Sequence, residues 1–282
     1  MACNPSYLNR RLFTAGIIGA ALLPKAAVEA ETRSKNLSLK NLTFEDFGKV
    51  ARVIDGDSLI CESGLRVKLA NILAPDGAAK QTQRFAKQSS QALEAFVSGR
   101  QIGLYYEGPT RDRYDRAMAQ VFTLRPDGTA DQWLQQELIE LGAARVRSYA
   151  KSAWQTDVLL KAESVAREAG RGLWQSSHYA VRTPAPNILA QDVDSFQIVE
   201  GLVISTAQVR GQTYLNFGSD YRTDFTVSIA RKYRKSFEQA GFDLLALEGA
   251  RVRVRGWVEL YNGPVMWLDH PEALENLTPV VT

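Results

Sequence analysis

Cysteine and histidine are scarce in this 282-residue chain, which has two of each. Cys3 sits in a stretch that reads as a removable leader, leaving Cys61 as the single thiol of the remaining chain. That excludes an intramolecular disulfide and a cysteine-based metal centre, so Cys61 reads as a small core residue of a strand. His178 and His270 are far apart in sequence, and neither suggests a catalytic base. An excess of one charge is missing too, since 34 Lys and Arg face 31 Asp and Glu. Any grip on a polyanion must come from local patches, not from bulk charge. The apolar run Leu12 to Leu23 is shorter than the roughly 20 residues a bilayer span needs.

What the N-terminus does carry is a leader pattern. Arg10 and Arg11 precede that apolar run, and Val28-Glu29-Ala30 offers a small-residue cleavage site. Residues 1–30 therefore read as a signal peptide. Arg10-Arg11-Leu12-Phe13 also resembles a twin-arginine export signal, with an ordinary secretory signal as the alternative. The expectation is an exported chain, periplasmic or secreted. Losing Arg10, Arg11, Lys25 and Glu29 takes the formal charge from +3 to +1.

Residues 31–46 are polar without a clear period and read as a spacer. Strands are expected near 47–54, 57–62, 66–72, 101–106 and 117–124. In the third, Leu65, Val67 and Leu69 alternate inward while Arg66 and Lys68 face out, the period-2 pattern of a half-buried strand. Helical spacing links Phe85, Ala92, Leu93, Phe96 and Val97. It recurs in Trp133, Leu134, Leu138 and Leu141, and again in Trp154, Val158, Ala162 and Val165. Gly142 and Gly170 stand where helix-ending glycines belong. Five short strands with helices predict a mainly β, α+β domain over 47–175, an OB-type five-stranded barrel with helical packing.

Three segments carry the chemistry: the turn Asp55-Gly56-Asp57, the run Arg66 to Asp76, and the loop Asp112-Arg113-Tyr114-Asp115-Arg116. A strand-borne Asp, a second carboxylate and an Arg can together hold a divalent cation, a water and a phosphate. That is the minimum for metal-assisted phosphodiester hydrolysis. In order and spacing these segments resemble the staphylococcal-nuclease (thermonuclease) family, from about Gly48 to Trp174, including the ending Ala169-Gly170-Arg171-Gly172-Leu173-Trp174. The resemblance implies that Asp57 is a ligand to a divalent cation, calcium in that family, and that the carbonyl of Ala74 is another. It implies phosphate contacts from Lys68 and Arg116, and a general-base role for Asp76.

Four departures from that pattern have physical meaning. Leu73 stands where the family has a second calcium-ligand Asp, so a hard oxygen becomes an apolar branch. Lys68 replaces an Arg and loses the planar fork that grips two oxygens at once. Asp76 is one methylene shorter than the family's Glu. Asp115 replaces a Gly beside Arg116. Each site residue also has a plainer reading: Asp57 as a turn cap, Asp76 as a loop cap, Lys68 as the polar side of a strand, and Arg116 as a loop charge paired with Asp112 or Asp115.

Ser, Thr, Pro and Asn make 176–195 a linker by composition. Residues 196–282 are strand-rich, with a helical stretch near 231–241, and suit a second small OB-like β-barrel. There Arg251, Arg253 and Arg255 alternate with Val252 and Val254, followed by Trp257. Basic stripes beside aromatics suit a single-stranded nucleic-acid groove, and a solubilising face is the plainer reading. Two functions follow. One is an exported thermonuclease-like phosphodiesterase acting on DNA or RNA with a divalent cation and a partly eroded catalytic set. The other is a nuclease-fold module that binds nucleic acid or an envelope partner without useful catalysis. Leu73 divides them most sharply.

Overall fold

The computed structural model describes residues 38–278. The expected signal peptide and residues 31–37 of the expected spacer lie outside the described residues. β1 (Thr43–Asp55) starts inside the stretch read as spacer, because its first half is needed as a partner for another strand. That half pairs antiparallel with β5 (Gln101–Tyr106), and the second half pairs antiparallel with β2 (Ser58–Cys61). β3 (Arg66–Leu69) runs antiparallel to β2 and parallel to β6 (Ala117–Leu124). Pairing of β6 with β5 closes the ring β1-β2-β3-β6-β5, the OB-type arrangement expected. A short β4 (Ile72–Leu73) meets β8 (Arg145–Val146), and β7 (Ala130–Trp133) extends the sheet beyond β6.

The inward half of the alternation read from β3 holds, with Val67 and Leu69 fully buried beside Leu59, Leu104 and Val121 inside the ring, and Arg66 faces out. Lys68 does not, its side chain being 12% exposed with the ammonium on buried Asp57. Helices α1 (Gln83–Val97), α2 (Leu134–Glu140) and α3 (Thr156–Glu168) pack around it. Cys61 is buried and unpaired, and burial pushes its thiol up to about 11, which leaves it inert at neutral pH.

The stretch read as a linker is folded. Tyr179 and Leu189 are buried, the latter at the end of α4 (Pro186–Leu189). Arg182 pairs with Asp192 at 2.7 Å and donates to the carbonyls of Ser177, His178 and Ala180. Prolines and serines there mark a tight path, not a loose one.

Beyond it, β9 (Phe196–Leu202), β13 (Arg251–Trp257) and β16 (Leu274–Asn276) form one sheet, in the order β16-β13-β9. A second sheet has the order β10-β11-β12-β15-β14, made by β10 (Ser205–Val209), β11 (Gln212–Asn216), β12 (Thr226–Ile229), β15 (Gly263–Leu268) and β14 (Glu259–Tyr261). Helix α5 (Arg231–Gln239) lends Phe237 to the shared core with Phe225, Val252, Val254 and Met266. No pairing among the described residues closes these sheets into a ring, so the barrel expected here is seen as two sheets over one core.

The halves are fastened through buried charge. Arg255 donates from Nη1 to Glu163 Oε2 at 2.9 Å and to the carbonyl of Val146 at 3.1 Å, and from Nη2 to Glu275 Oε1 at 2.7 Å. Glu163 lies on α3, and its other oxygen accepts from the Val146 N–H at 2.7 Å. From the other side, Arg145 donates to the carbonyl of Phe196 at 3.0 Å, with its guanidinium 5.1 Å from the ring centres of both Tyr179 and Phe196.

Candidate functional site

The Asp55-Gly56-Asp57 turn ends β1 and is pressed under α1. A Cβ on Gly56 would lie 1.8 Å from Ser89 Oγ and 2.8 Å from Ala74 Cβ, so only glycine allows that approach. Asp55 caps the turn by accepting from the Asp57 N–H at 3.0 Å, which frees the Asp57 side chain to point inward. Asp57 is only 2% exposed. Its Oδ2 accepts from the Ala74 N–H at 2.7 Å, and its Oδ1 accepts from the Ser58 hydroxyl and from the Lys68 ammonium. β2–β3 register sets Lys68 opposite Ser58, which places its ammonium on the carboxylate. Burial pushes the Asp57 carboxyl up, while Lys68 and the Ala74 N–H oppose the rise.

Asp57 and Lys68, the expected metal ligand and phosphate contact, are thus partners of each other. Both carboxylate oxygens are engaged, and Leu73 adds no oxygen beside Ala74. No group of three or more His, Cys, Asp and Glu among the described residues could hold an ion. The residues present do not fit a divalent cation that wants six or more oxygens.

Arg116 comes from the other segment. Its Nε and Nη2 lie 2.8 and 2.6 Å from Asp112 Oδ2, and its own N–H and that of Tyr114 donate to Asp112 Oδ1. Burial pushes the Asp112 carboxyl up, but these bonds outweigh it and hold the pKa below the ordinary carboxylate value. Asp115 takes the left-handed φ of 58°, the conformation for which the family's glycine is suited and which Asp tolerates better than most residues. Parallel register pairs Val67 with Ala117, so Arg116 is level with Arg66 and in phase with Lys68 two positions along. The guanidinium also sits 5.4 Å from the ring centre of the exposed Tyr114.

Asp76 is exposed and its Oδ1 accepts from the Ala78 N–H at 3.0 Å, capping the turn after Pro75. It borders a groove with His178 and Tyr179, toward the C-terminal half, and makes no bond with Asp57 or Arg116.

The C-terminal candidates divide. Arg251 and Arg253 are both held by Glu200 at 2.7 Å, and Arg253 also reaches Glu275 at 3.4 Å. Arg255 is the buried fastener described above; burial lowers its pKa but Glu163 and Glu275 outweigh this and raise it. Each arginine of the expected basic stripe is therefore held by a glutamate; Arg251 remains largely exposed, while Arg255 is buried at the wall of the cleft between the halves. Trp257 also stays open, 45% exposed at the junction of the halves.

Sequence reasoning passed over Arg147, Ser148 and Tyr149, which follow β8. Burial pushes the Tyr149 hydroxyl up, Arg147 and Arg116 oppose the rise, and Asp57 and Asp112 add to it. Ser148 Oγ lies 2.7 Å from His270 Nε2, whose Nδ1 lies 2.5 Å from Asp269 Oδ1. His270 is thus another tie between the halves. The basic-aromatic alternation Arg147-Ser148-Tyr149 was the available signal.

Residues 66–176 match the family described as Staphylococcal nuclease homologue, and this segment is a staphylococcal-nuclease-like domain. A Thermonuclease from Staphylococcus hyicus is 22% identical over 175 residues, covering 59% of this chain and 99% of that protein. An uncharacterized endonuclease from Haemophilus influenzae is 26% identical over 176 residues, 61% of this chain and 82% of its own. A probable endonuclease from Podospora anserina is 29% identical over 115 residues, 38% and 41%. All three relatives carry nuclease names, at identities of 22–29%.

Proposed function

We propose that this chain binds nucleic acid through its nuclease-like half, as an exported recognition module with Arg116 as its leading phosphate contact. The observation that carries the reading is the ion pair between Lys68 and Asp57. An ammonium already neutralises the carboxylate on which a bound cation would depend, and Leu73 supplies no second oxygen. Arg116 presents a planar fork of which Asp112 takes Nε and Nη2, and its Nη1 carries no bond among the described residues. Lys68 has three donor hydrogens and can share one with a phosphate oxygen while keeping Asp57. Export is supported by the leader pattern of Arg10, Arg11 and the apolar run after them.

Hydrolysis is the second reading, favoured by the nuclease-named relatives and the Arg116 loop. In it Arg116 neutralises charge developing on the phosphoryl oxygens, and the exposed Asp76 orients or deprotonates water. Labelled DNA and RNA oligonucleotides, incubated with Ca²⁺, Mg²⁺, Mn²⁺ or chelator, separate the two. The expected result is binding that persists in chelator, without cleavage, weakened roughly 10- to 150-fold by Arg116→Ala as a charged hydrogen bond is lost. Metal-dependent cleavage that falls about 10²–10³-fold in Arg116→Ala would install the hydrolytic reading instead.

A further inference from the structure

The nuclease-like half and the C-terminal half enclose a cleft of about 470 Å³, inside the roughly 300–1,000 Å³ range of ligand sites. Its walls are basic and aromatic. Arg147 and Tyr149 come from one half, and Lys232, Tyr233, Trp257 and Trp267 from the other. The Arg147 guanidinium lies 4.9 Å from the Tyr149 ring centre and 5.6 Å from that of Trp257, bridging the two. Lys232 Nζ lies 4.7 Å from the ring of Tyr233. Among the described residues neither cation has an ion pair. Of the carboxylates of this cleft, Glu259 Oε2 accepts from the Trp267 indole at 3.0 Å, and Asp269 is held by His270 and feels the charge of Lys232 more weakly. Trp257 and Trp267 are each 45% exposed, so two large aromatic faces stand open beside unpaired cations.

We propose that this cleft is a binding site for single-stranded nucleic acid, in which bases stack on Trp257, Trp267 and Tyr149 while Arg147 and Lys232 meet the backbone. It rests on the reading that the nuclease-like half takes nucleic acid. Single strands are specified by the chemistry, because a base must leave its helical stack before it can lie on an indole or phenol face, and such platforms accept any base. Continuity with the phosphate face is what makes it one path. Residues 145–147 run beside β4, with Arg145 opposite Leu73 and the Arg147 N–H on the Asn71 carbonyl at 3.0 Å. β4 leads into Ala74, whose N–H lies on Asp57; from there Arg147 packs on Tyr149 and reaches Trp257. A strand held at Arg116 thus runs over Tyr149 into the cleft. Buried ties at Arg255–Glu163 and Ser148–His270 hold the two walls together before binding, which lowers the cost of ordering them.

The test uses the full chain, a fluorescein-labelled thymidine 12-mer as single strand, and the same sequence as duplex, across a salt series. Trp257→Ala should weaken single-strand binding about 5- to 150-fold at every salt concentration, with duplex binding unchanged. Arg147→Gln should lower the slope of log affinity against log salt by about 0.7, the loss of one released counterion on a single strand. Both side chains are at least partly exposed, and melting curves matching the parent establish that the variants fold. Single-strand binding equal to the parent in both variants would overturn the cleft. If Arg116→Ala alone abolishes binding, the cleft falls and the phosphate reading stands. If the cleft variants lose the single strand while Arg116→Ala binds as the parent, the cleft stands and the phosphate reading falls.

Discussion

Replacing Lys68 with Met removes the ammonium and keeps most of the apolar stem. What remains is Asp57, 3% exposed in its side chain, with one backbone N–H and one hydroxyl. Removing one member of a buried ion pair costs about 3–5 kcal/mol, chiefly from the charge left behind. The two surviving donors place this case near the lower end, about 3 kcal/mol, or a fall of roughly 6–12 °C in Tm for a chain of this size. The sign with pH follows from linkage. Burial raises the folded pKa of Asp57 above its unfolded value near 3.9, so the folded state binds more protons. Stability then declines as pH rises from the unfolded pKa to the folded one. Loss of Lys68 removes the largest influence opposing that rise, so the folded pKa climbs and the window of decline extends upward. The gap between parent and Lys68→Met should be small near pH 4 and full by pH 8. Melting curves by circular dichroism across that range measure it, and Asp57→Asn in the variant background should close the gap. A gap equally wide at both ends would refute the reasoning, because it would come from lost packing and not from a stranded carboxylate.

Arg255→Met should destabilise by about 3–5 kcal/mol, since it strands Glu163 in the interior, and Glu163→Gln added to it should recover part of the loss, read by denaturant titration. Asp112→Asn should flatten the acid side of the stability profile. The folded pKa of Asp112 lies below its unfolded value, so its contribution is present above that value and fades as pH falls toward the folded pKa. Leu73→Asp should bind Ca²⁺ only in combination with Lys68→Met, measured calorimetrically. Equal affinity in the single variant would mean that the ammonium does not block the carboxylate.

Much of the nuclease-like half was legible because its signals are local. The inward alternation of Val67 and Leu69, the Asp55-Gly56-Asp57 turn and the Arg116 loop each declare themselves within a few residues. What sat opposite them was not legible. Alternation set Arg251, Arg253 and Arg255 on a strand between buried valines. It carried no sign of Glu200, Glu275 and Glu163, which meet them from β9, β16 and α3. The same holds for His270, isolated in sequence yet bonded to Ser148 across 122 residues. Composition misled in the connector, where prolines and serines suggested looseness while Tyr179, Leu189 and the Arg182–Asp192 pair pack it down.

Two departures that look independent in the sequence are linked through Asp57. A lone carboxylate with a divalent cation and an arginine would leave the site strongly positive; a second Asp at position 73 would temper that charge. With Leu at 73 and a shorter, compact cation at 68, the ammonium can sit on Asp57 itself, and the pair closes as a neutral unit in a dry pocket. Arg116 and Asp112 close likewise, one strand away. An interior that holds each charge against a fixed partner is stable without an ion. Nη1 of Arg116 still carries no bond among the described residues, and that is the group the proposed recognition of a phosphate would use. On the proposed reading, selectivity would pass to Tyr149 and Trp257, which line one cleft only because the two halves meet there.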